Sequence, residues 1–432
     1  MVFNHSVKVP TQYRKAAAVL RKAISEKKSV RGLIYEQTHA KVPNLLALMS
    51  KYSDNKDAIE EAIEKTKLLV DNPRLDPSLG RILVAELLFG AGKLTGQNAK
   101  PVACVLSYKD KLQEAIGGAP AKSSKSARVS KPRYVRINTN AISINEAHEI
   151  LSQEGFKRKD VGTENYDEFL QAIQAMDEDE YIVDIHVPSL LIFCPKWRNY
   201  WAKHDLVAEK KFMLQDRATC IVSELLNPKP GSVVLDMCAA PGMKTIHLSN
   251  LMQNSGKIYA VEQNEHRFQL LRNMVLEAQA SCVEPIKGDV LAIDPQPDVE
   301  YILVDPSCSG SGMQNRLSLS KDDRVDEDRL RRLAGLQIKI LSHAMSSFPN
   351  VKRIVYSTCS LYEEENEQVV KRCLGLCPQF KLLSGKKCLE RKWNNFGNTQ
   401  YKGIGKNCLY SLPDKDLTDG IFMAVFERIN DE

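Results

Sequence analysis

Two cysteines hold the residues best suited to do chemistry in this chain. Cys308 stands in Asp305-Pro306-Ser307-Cys308-Ser309-Gly310-Ser311-Gly312, and Cys359 in Tyr356-Ser357-Thr358-Cys359-Ser360. Each follows an apolar β-branched run, 301–304 and 353–355, of the kind that forms buried parallel strands, and the carboxyl ends of such strands are where open α/β sheets bind ligands. The pattern sets both thiols in one crevice, and the reaction that needs them is covalent methyl transfer to a pyrimidine. Carbon 5 of cytosine is too electron-poor to take an electrophilic methyl group until a nucleophile has added at carbon 6, and a thiolate is suited to that addition. An ordinary thiol, with a pKa of ~8.5, is only slightly ionised at neutral pH, so the site must supply positive potential or a base. Lys244 is a candidate for that potential, Asp305 for pairing with the base edge, and Cys308 for the later loss of the carbon 5 proton and release of the thioether.

A second motif lies upstream. Val233-Val234-Leu235-Asp236-Met237-Cys238-Ala239-Ala240-Pro241-Gly242-Met243-Lys244-Thr245 reads as a strand, a turn of small residues and a helix start. Small side chains and Gly242 let a ligand approach the backbone, and the free amides of the helix start favour an anionic group. Neither the Gly-x-Gly-x-x-Gly of dinucleotide folds nor a P-loop is present. Asp236 and the second-strand acid Glu262 instead suit S-adenosylmethionine, with Glu262 on the two ribose hydroxyls and Asp289, after the third strand, on the adenine amino group. No metal is expected: Cys373, Cys377 and Cys388 lack a paired Cys-x-x-Cys or a His partner. Cys104, Cys194, Cys220 and Cys282 read as small buried apolar residues.

The elements that must position these groups alternate from about Phe212 onward. Strands are expected at 233–235, 257–261, 282–286, 301–304, 353–356 and 421–426, with helices at 245–252, 266–278, 327–347 and 364–374, which predicts a doubly wound, mostly parallel sheet. Residues 1–116 read as a helical domain without a catalytic signature, 117–131 as a basic Gly/Ala/Ser/Lys linker, 132–211 as a small α+β module with a possible RNA-binding role, and 212–432 as the catalytic domain.

Lys+Arg number 60 against 54 Asp+Glu, a net charge of only +6, so distribution says more than the sum. Lys122 to Arg136 and Lys381 to Lys406 are basic arms suited to phosphate contacts. Eleven cysteines without a secretory apolar segment point to reduced thiols in a reducing compartment. No apolar run approaches the ~20 residues of a membrane span. The first 25 residues carry five Lys/Arg and no acid, as transit peptides do, but Ala16, Val19, Leu20, Ala23 and Ile24 make an ordinary helix face.

Taken together, the loop Asp236 to Thr245, the stretch Asp305 to Gly312, and Tyr356 to Ser360 followed by Glu364-Glu365-Asn366 resemble the signature of the Sun/RsmB family of RNA cytosine-5 methyltransferases, from Pro132 to the C terminus. Gln215-Asp216-Arg217-Ala218 resembles the family's helix preceding the donor loop. Asp-Pro-Ser-Cys, with Ser307 where most members have Pro, and the helical N-terminal domain are similar to the fifth Sun-domain branch. The resemblance implies a class I, Rossmann-like methyltransferase fold, Cys359 as nucleophile, Cys308 assisting release, and a donor site of Cys238, Ala239, Ala240, Pro241, Gly242, Met243, Lys244, Glu262, Arg267, Asp289 and Asp305. Glu262 stands where Asp is common, which changes reach rather than chemistry. It further implies a large-subunit ribosomal RNA or pre-ribosomal substrate, a monomer, and a nuclear, nucleolar location. Methylation of tRNA or another RNA is the alternative substrate reading. A DNA-type methyltransferase would attack with Cys308 and is opposed by Thr358-Cys359; a non-catalytic assembly factor is opposed by the intact thiols and donor loop.

Overall fold

The computed structural model describes residues 7–26, 30–35, 37, 42–117, 131–162, 165–293, 298–313, 327–390 and 392–429. They divide into a helical unit, up to residue 117, and a larger α/β unit that starts beyond the linker. The linker itself, 118–130, lies outside the described residues.

In the helical unit the helix Pro77–Phe89 buries Leu79, Ile82, Leu83, Val84, Ala85, Leu87 and Leu88. Asp76 caps its start by accepting from the Leu79 N–H at 2.8 Å, and Pro77 occupies a first-turn position that needs no donor. Helices Thr11–Ser25, Val42–Asp54, Lys56–Lys65 and Lys100–Ser107 pack against it. Ala16, Val19, Leu20 and Ala23 lie in that core, so the basic, amphipathic start of the chain is a packing helix.

The small module is a five-stranded sheet of β1 (Arg133–Ile137), β2 (Lys157–Arg158), β3 (Glu180–Val183), β4 (Leu190–Phe193) and β5 (Phe212–Met213), in the order β2-β3-β4-β1-β5. Strict alternation assigns its faces. Val135, Ile137, Leu191 and Phe193 pack with Leu151, Trp201 and Phe212, whereas Tyr134, Ile182, Leu190 and Ile192 share a core with Ile221 and Leu225 of the catalytic half. Both faces are therefore covered, and neither is left as an open platform. Phe212 and Met213 pair with Ile137 and Arg136, so both are strand residues of the small sheet. The sequence missed this because a two-residue strand carries no periodicity.

The catalytic half is built on β6 (Val233–Asp236), β7 (Lys257–Glu262), β8 (Val283–Lys287), β9 (Tyr301–Val304), β10 (Arg353–Thr358), β11 (Phe380–Leu382), β12 (Leu409–Ser411) and β13 (Ile421–Arg428), in the order β11-β13-β10-β9-β6-β7-β8, with β12 beside β13. From β10 to β8 every pairing is parallel, and β13 runs antiparallel to β10. Leu303 and Val355 face the core shared with the helix Arg217–Leu226; Ile302, Val304, Ile354 and Tyr356 face Ile340, Leu341 and Val369 of the other helical layer. The chain leaves β6 on one side through β7 and β8 and returns on the other through β9. That reversal opens a crevice at the carboxyl ends of β6 and β9, where doubly wound sheets bind ligands. Asp236 ends β6 and Asp305 follows β9. The last helix of the sequence reading begins at Glu367 rather than Glu364, because residues 363–366 form a turn from which Glu365 and Asn366 bond back to the loops after β9 and β10. Among the described residues no helix is long and apolar enough to cross a membrane.

Candidate active site

Parallel pairing sets Arg353 opposite Tyr301 and Tyr356 opposite Val304, so the segments leaving β9 and β10 emerge side by side. The sulfurs of Cys308 and Cys359 consequently lie 2.9 Å apart, both as free thiols. Next to them Asp305 accepts from Lys244 Nζ at 2.6 Å through Oδ2 and from the Ser357 hydroxyl at 2.7 Å through Oδ1. Lys244 comes from the first turn of the helix Met243–Leu251, so its ion pair with Asp305 spans the switch-point crevice. The Gly312 N–H donates to the Cys359 carbonyl at 2.9 Å, and its own carbonyl accepts from the Gly420 N–H at 2.8 Å. A Cβ on Gly312 would lie 2.2 Å from the Gly420 carbonyl oxygen, so only glycine permits this approach.

The two thiols differ electrostatically. Donation from Cys308 holds Cys359 below the ordinary thiol range, with the Lys244 cation adding to the effect against burial and the Asp305 and Glu365 charges. Cys308 is pushed well up, by its hydrogen bond to Cys359 and by burial, with the charge on Cys359 and Glu365 adding. Burial opposes the charge on Lys244, but the Asp305 carboxylate outweighs it and keeps the ammonium. Of the two, Cys359 is the sulfur whose surroundings favour the thiolate and Cys308 the one whose surroundings favour the thiol. That arrangement can deliver a nucleophile and a proton carrier to the same carbon–carbon bond.

In the donor loop, Asp236 is 1 % exposed, accepts from the Thr245 hydroxyl at 2.7 Å and has its pKa pushed up to about 6 by burial. It shapes the loop from within. Gly242 has φ 107°, in the left-handed region that side chains avoid. Glu262 ends β7, is 7 % exposed, and accepts from the Asn264 N–H at 2.8 Å, with Arg267 at 3.3 Å from its other oxygen. Arg267 also donates to the Ala240 carbonyl at 2.6 Å and so ties the loop to that strand end. Cys238 is pushed far up by burial and by the carboxylates of Asp236, Asp305 and Glu262, which marks these three acids as neighbours. Three neighbouring carboxylates beside a loop of small residues suit S-adenosylmethionine, which brings a sulfonium cation and a vicinal ribose diol. Asp289 is exposed and accepts from the Leu291 N–H at 3.0 Å, a local turn that does not link it to the loop.

Part of the first basic arm is not available to phosphate. Lys131 is 9 % exposed and pairs with Asp216 and Asp419, and Arg136 is fully buried, donating to Gln215 and Asn250. Their partners lie 79–288 residues away in sequence and left no local signal. Arg217, from the Gln215–Ala218 motif, forms a fully buried pair with Asp184 and donates to the Tyr166 hydroxyl at 2.9 Å. Sequence reasoning also missed Ser357 and Gln337, and gave Glu365 and Asn366 no job. Cys373 and Cys377 sit in an apolar core.

A switch-point crevice with a small-residue loop, a carboxylate ending the second strand and a facing thiol pair defines a class I S-adenosylmethionine-dependent methyltransferase of the two-cysteine type. Comparison with known proteins agrees in detail. Residues 223–427 match the family model "16S rRNA methyltransferase RsmB/F", residues 131–215 the ferredoxin-like domain of "NOL1/NOP2/Sun domain family member 5", and residues 43–125 the N-terminal domain of the same family member. A 28S rRNA (cytosine-C(5))-methyltransferase of Drosophila melanogaster is 53 % identical over 98 % of this chain and 97 % of its own length. A 26S rRNA (cytosine-C(5))-methyltransferase of Caenorhabditis elegans is 33 % identical, covering 96 % and 98 %. A crystal structure of a methyltransferase homologue from Pyrococcus horikoshii shares the fold, with TM-score 0.54 and 23 % identity over 84 % of this chain and 99 % of that one. The chain belongs to the Sun-domain family of RNA cytosine-5 methyltransferases, in the branch of its fifth member.

Proposed function

We propose that this chain methylates carbon 5 of a cytosine in large-subunit ribosomal RNA, with Cys359 as nucleophile. The observation that carries the assignment is the 2.9 Å contact between the Cys308 and Cys359 sulfurs, beside the Lys244–Asp305 ion pair at 2.6 Å. S-adenosylmethionine, when bound, supplies an electrophilic methyl group. The Cys359 thiolate adds to carbon 6 of the ring, forming a C–S bond and shifting the ring's π electrons toward carbon 5. Asp305 and Lys244 meet the base edge and hold the charge that develops there. Once carbon 5 bears the methyl group it must lose its proton; the returning electron pair rebuilds the ring double bond and expels Cys359. Cys308, beside Cys359, is placed to take that proton once it has passed its own hydrogen to solvent, so that it ends as a thiol while Cys359 leaves as the thiolate.

Large-subunit RNA as substrate is supported by the names of the two full-length relatives. The nucleus and nucleolus as the workplace follow from that substrate. The chain is proposed to work as a monomer. Bisulfite sequencing of large-subunit RNA from cells with and without the gene tests the reading: one cytosine should lose its protection when the gene is absent. An unchanged pattern would refute it.

A further inference from the structure

We propose that Glu365 is a positioning residue that decides which of the two thiols carries the shared hydrogen. The inference rests on the covalent-thiol reading above and deepens it. Glu365 is fully buried. Its Oε1 accepts from the Ser309 N–H at 2.9 Å and from Gln337 Nε2 at 2.9 Å, and the same Gln337 nitrogen donates to the Ser307 carbonyl at 3.1 Å. The carboxylate therefore grips the residues on either side of Cys308. Its neighbour Asn366 does the same around Cys359, accepting from the Thr358 hydroxyl at 2.6 Å and donating to the Ser360 carbonyl at 2.9 Å.

Two consecutive residues thus clasp the two cysteine loops, and they differ in charge. An acid stands behind Cys308, whereas a neutral amide stands behind Cys359. Glu365 Oε2 is buried without a hydrogen-bond partner, and no Lys or Arg pairs with Glu365 among the described residues. Its carboxyl group is thus held by neutral donors alone, in surroundings of low dielectric where electrostatic effects are strong. Cys308 faces Cys359, Glu365 and Tyr356; Cys359 faces Cys308, Asp305, Lys244 and Glu365. Glu365 works against a negative charge on either sulfur; at Cys359 Asp305 acts with it and the Lys244 cation acts against both, whereas at Cys308 the neighbouring charges that act, Cys359 and Glu365, are both negative. The hydrogen is therefore kept on Cys308.

Alkylation by iodoacetamide, mapped to each cysteine by mass spectrometry across pH, reads this out. In the wild-type protein Cys359 should react first, with Cys308 protected until clearly higher pH. Glu365→Gln keeps the shape and an acceptor for Ser309, so the gap between the two steps should narrow, with the Cys308 step falling by about one pH unit, the scale of a nearby unit charge. A merely structural Glu365 would alter the melting temperature and leave the gap unchanged, and that result in a folded variant overturns the proposal. If the variant does not fold, the wild-type profile decides alone: Cys308 reacting at the lower pH overturns it. Because no methyl transfer is measured, failure here is distinguishable from failure of the RNA substrate reading, which bisulfite sequencing tests.

Discussion

Lys244 and Asp305, which stand on opposite sides of the β6/β9 switch point, meet at 2.6 Å and bring a cation to the thiol pair. This ion pair couples the donor loop to the cysteine loops, so the cation reaches Cys359 only when both segments are in place.

Replacing Lys244 by Met removes the cation that favours the Cys359 thiolate and leaves Asp305 without its partner. Cys359 should then ionise at higher pH. Since each unit is a factor of ten in thiolate below the pKa, alkylation of Cys359 at neutral pH is expected to slow by about tenfold or more. Stopped-flow or quenched labelling measures it; an unchanged rate would remove Lys244 from the account.

Burial raises the Asp236 carboxyl from 3.8 to about 6. A group raised in the fold contributes stability that is complete below its unfolded value, and that contribution is lost as pH rises through its folded value. Melting temperature should therefore fall between pH 4 and pH 6 by an amount set by about 3 kcal/mol, to order of magnitude. Asp236→Asn is expected to flatten that part of the curve. Scanning calorimetry across this window would contradict the argument if wild type and variant kept the same slope.

At the donor loop, Gly242→Val forces a β-branched residue to φ 107° and meets Leu271 Cδ1 at 3.1 Å from the new Cβ. Glu262→Ala removes the carboxylate assigned to the ribose. Both variants should bind S-adenosylmethionine at least about tenfold more weakly, a loss of one charge-assisted hydrogen bond or more. Titration calorimetry showing wild-type affinity in both would dismiss this placement of the donor.

Arg217 and Asp184 pair with no solvent exposure where the small module joins the catalytic half. Arg217→Met leaves a buried carboxylate uncompensated and should cost about 3–5 kcal/mol. Adding Asp184→Asn, which keeps the acceptor used by the His186 and Val187 amides, should cost less than the two single changes summed. Urea denaturation of the four proteins checks the cycle; simple additivity would show the pair to be uncoupled.

Six strands of the main sheet were legible as short β-rich runs between helical stretches, whereas the three-residue β11 and β12 carry no periodicity and were not foreseen, and the thiols were legible because each follows such a run. What stayed hidden depends on contacts distant in sequence. Lys131 and Arg136 look like phosphate ligands until Asp216, Asp419, Gln215 and Asn250 are brought to them. The small sheet looks open until Ile221 and Leu225 cover one face. Glu365 and Asn366 read as a helix start, because nothing local says that their side chains turn back to hold Ser309, Thr358 and Ser360.

The division of labour between the thiols is tested most directly on denaturing gels with labelled RNA. A target cytosine must first leave its stack, at a cost of roughly a few kcal/mol if paired, so a loosened RNA segment is the substrate to use. Cys359→Ala should form no covalent complex and transfer no methyl group, whereas Cys308→Ala should accumulate an RNA–protein adduct that is slow to release. A trapped complex in Cys359→Ala, with none in Cys308→Ala, would exchange the two roles and contradict the account.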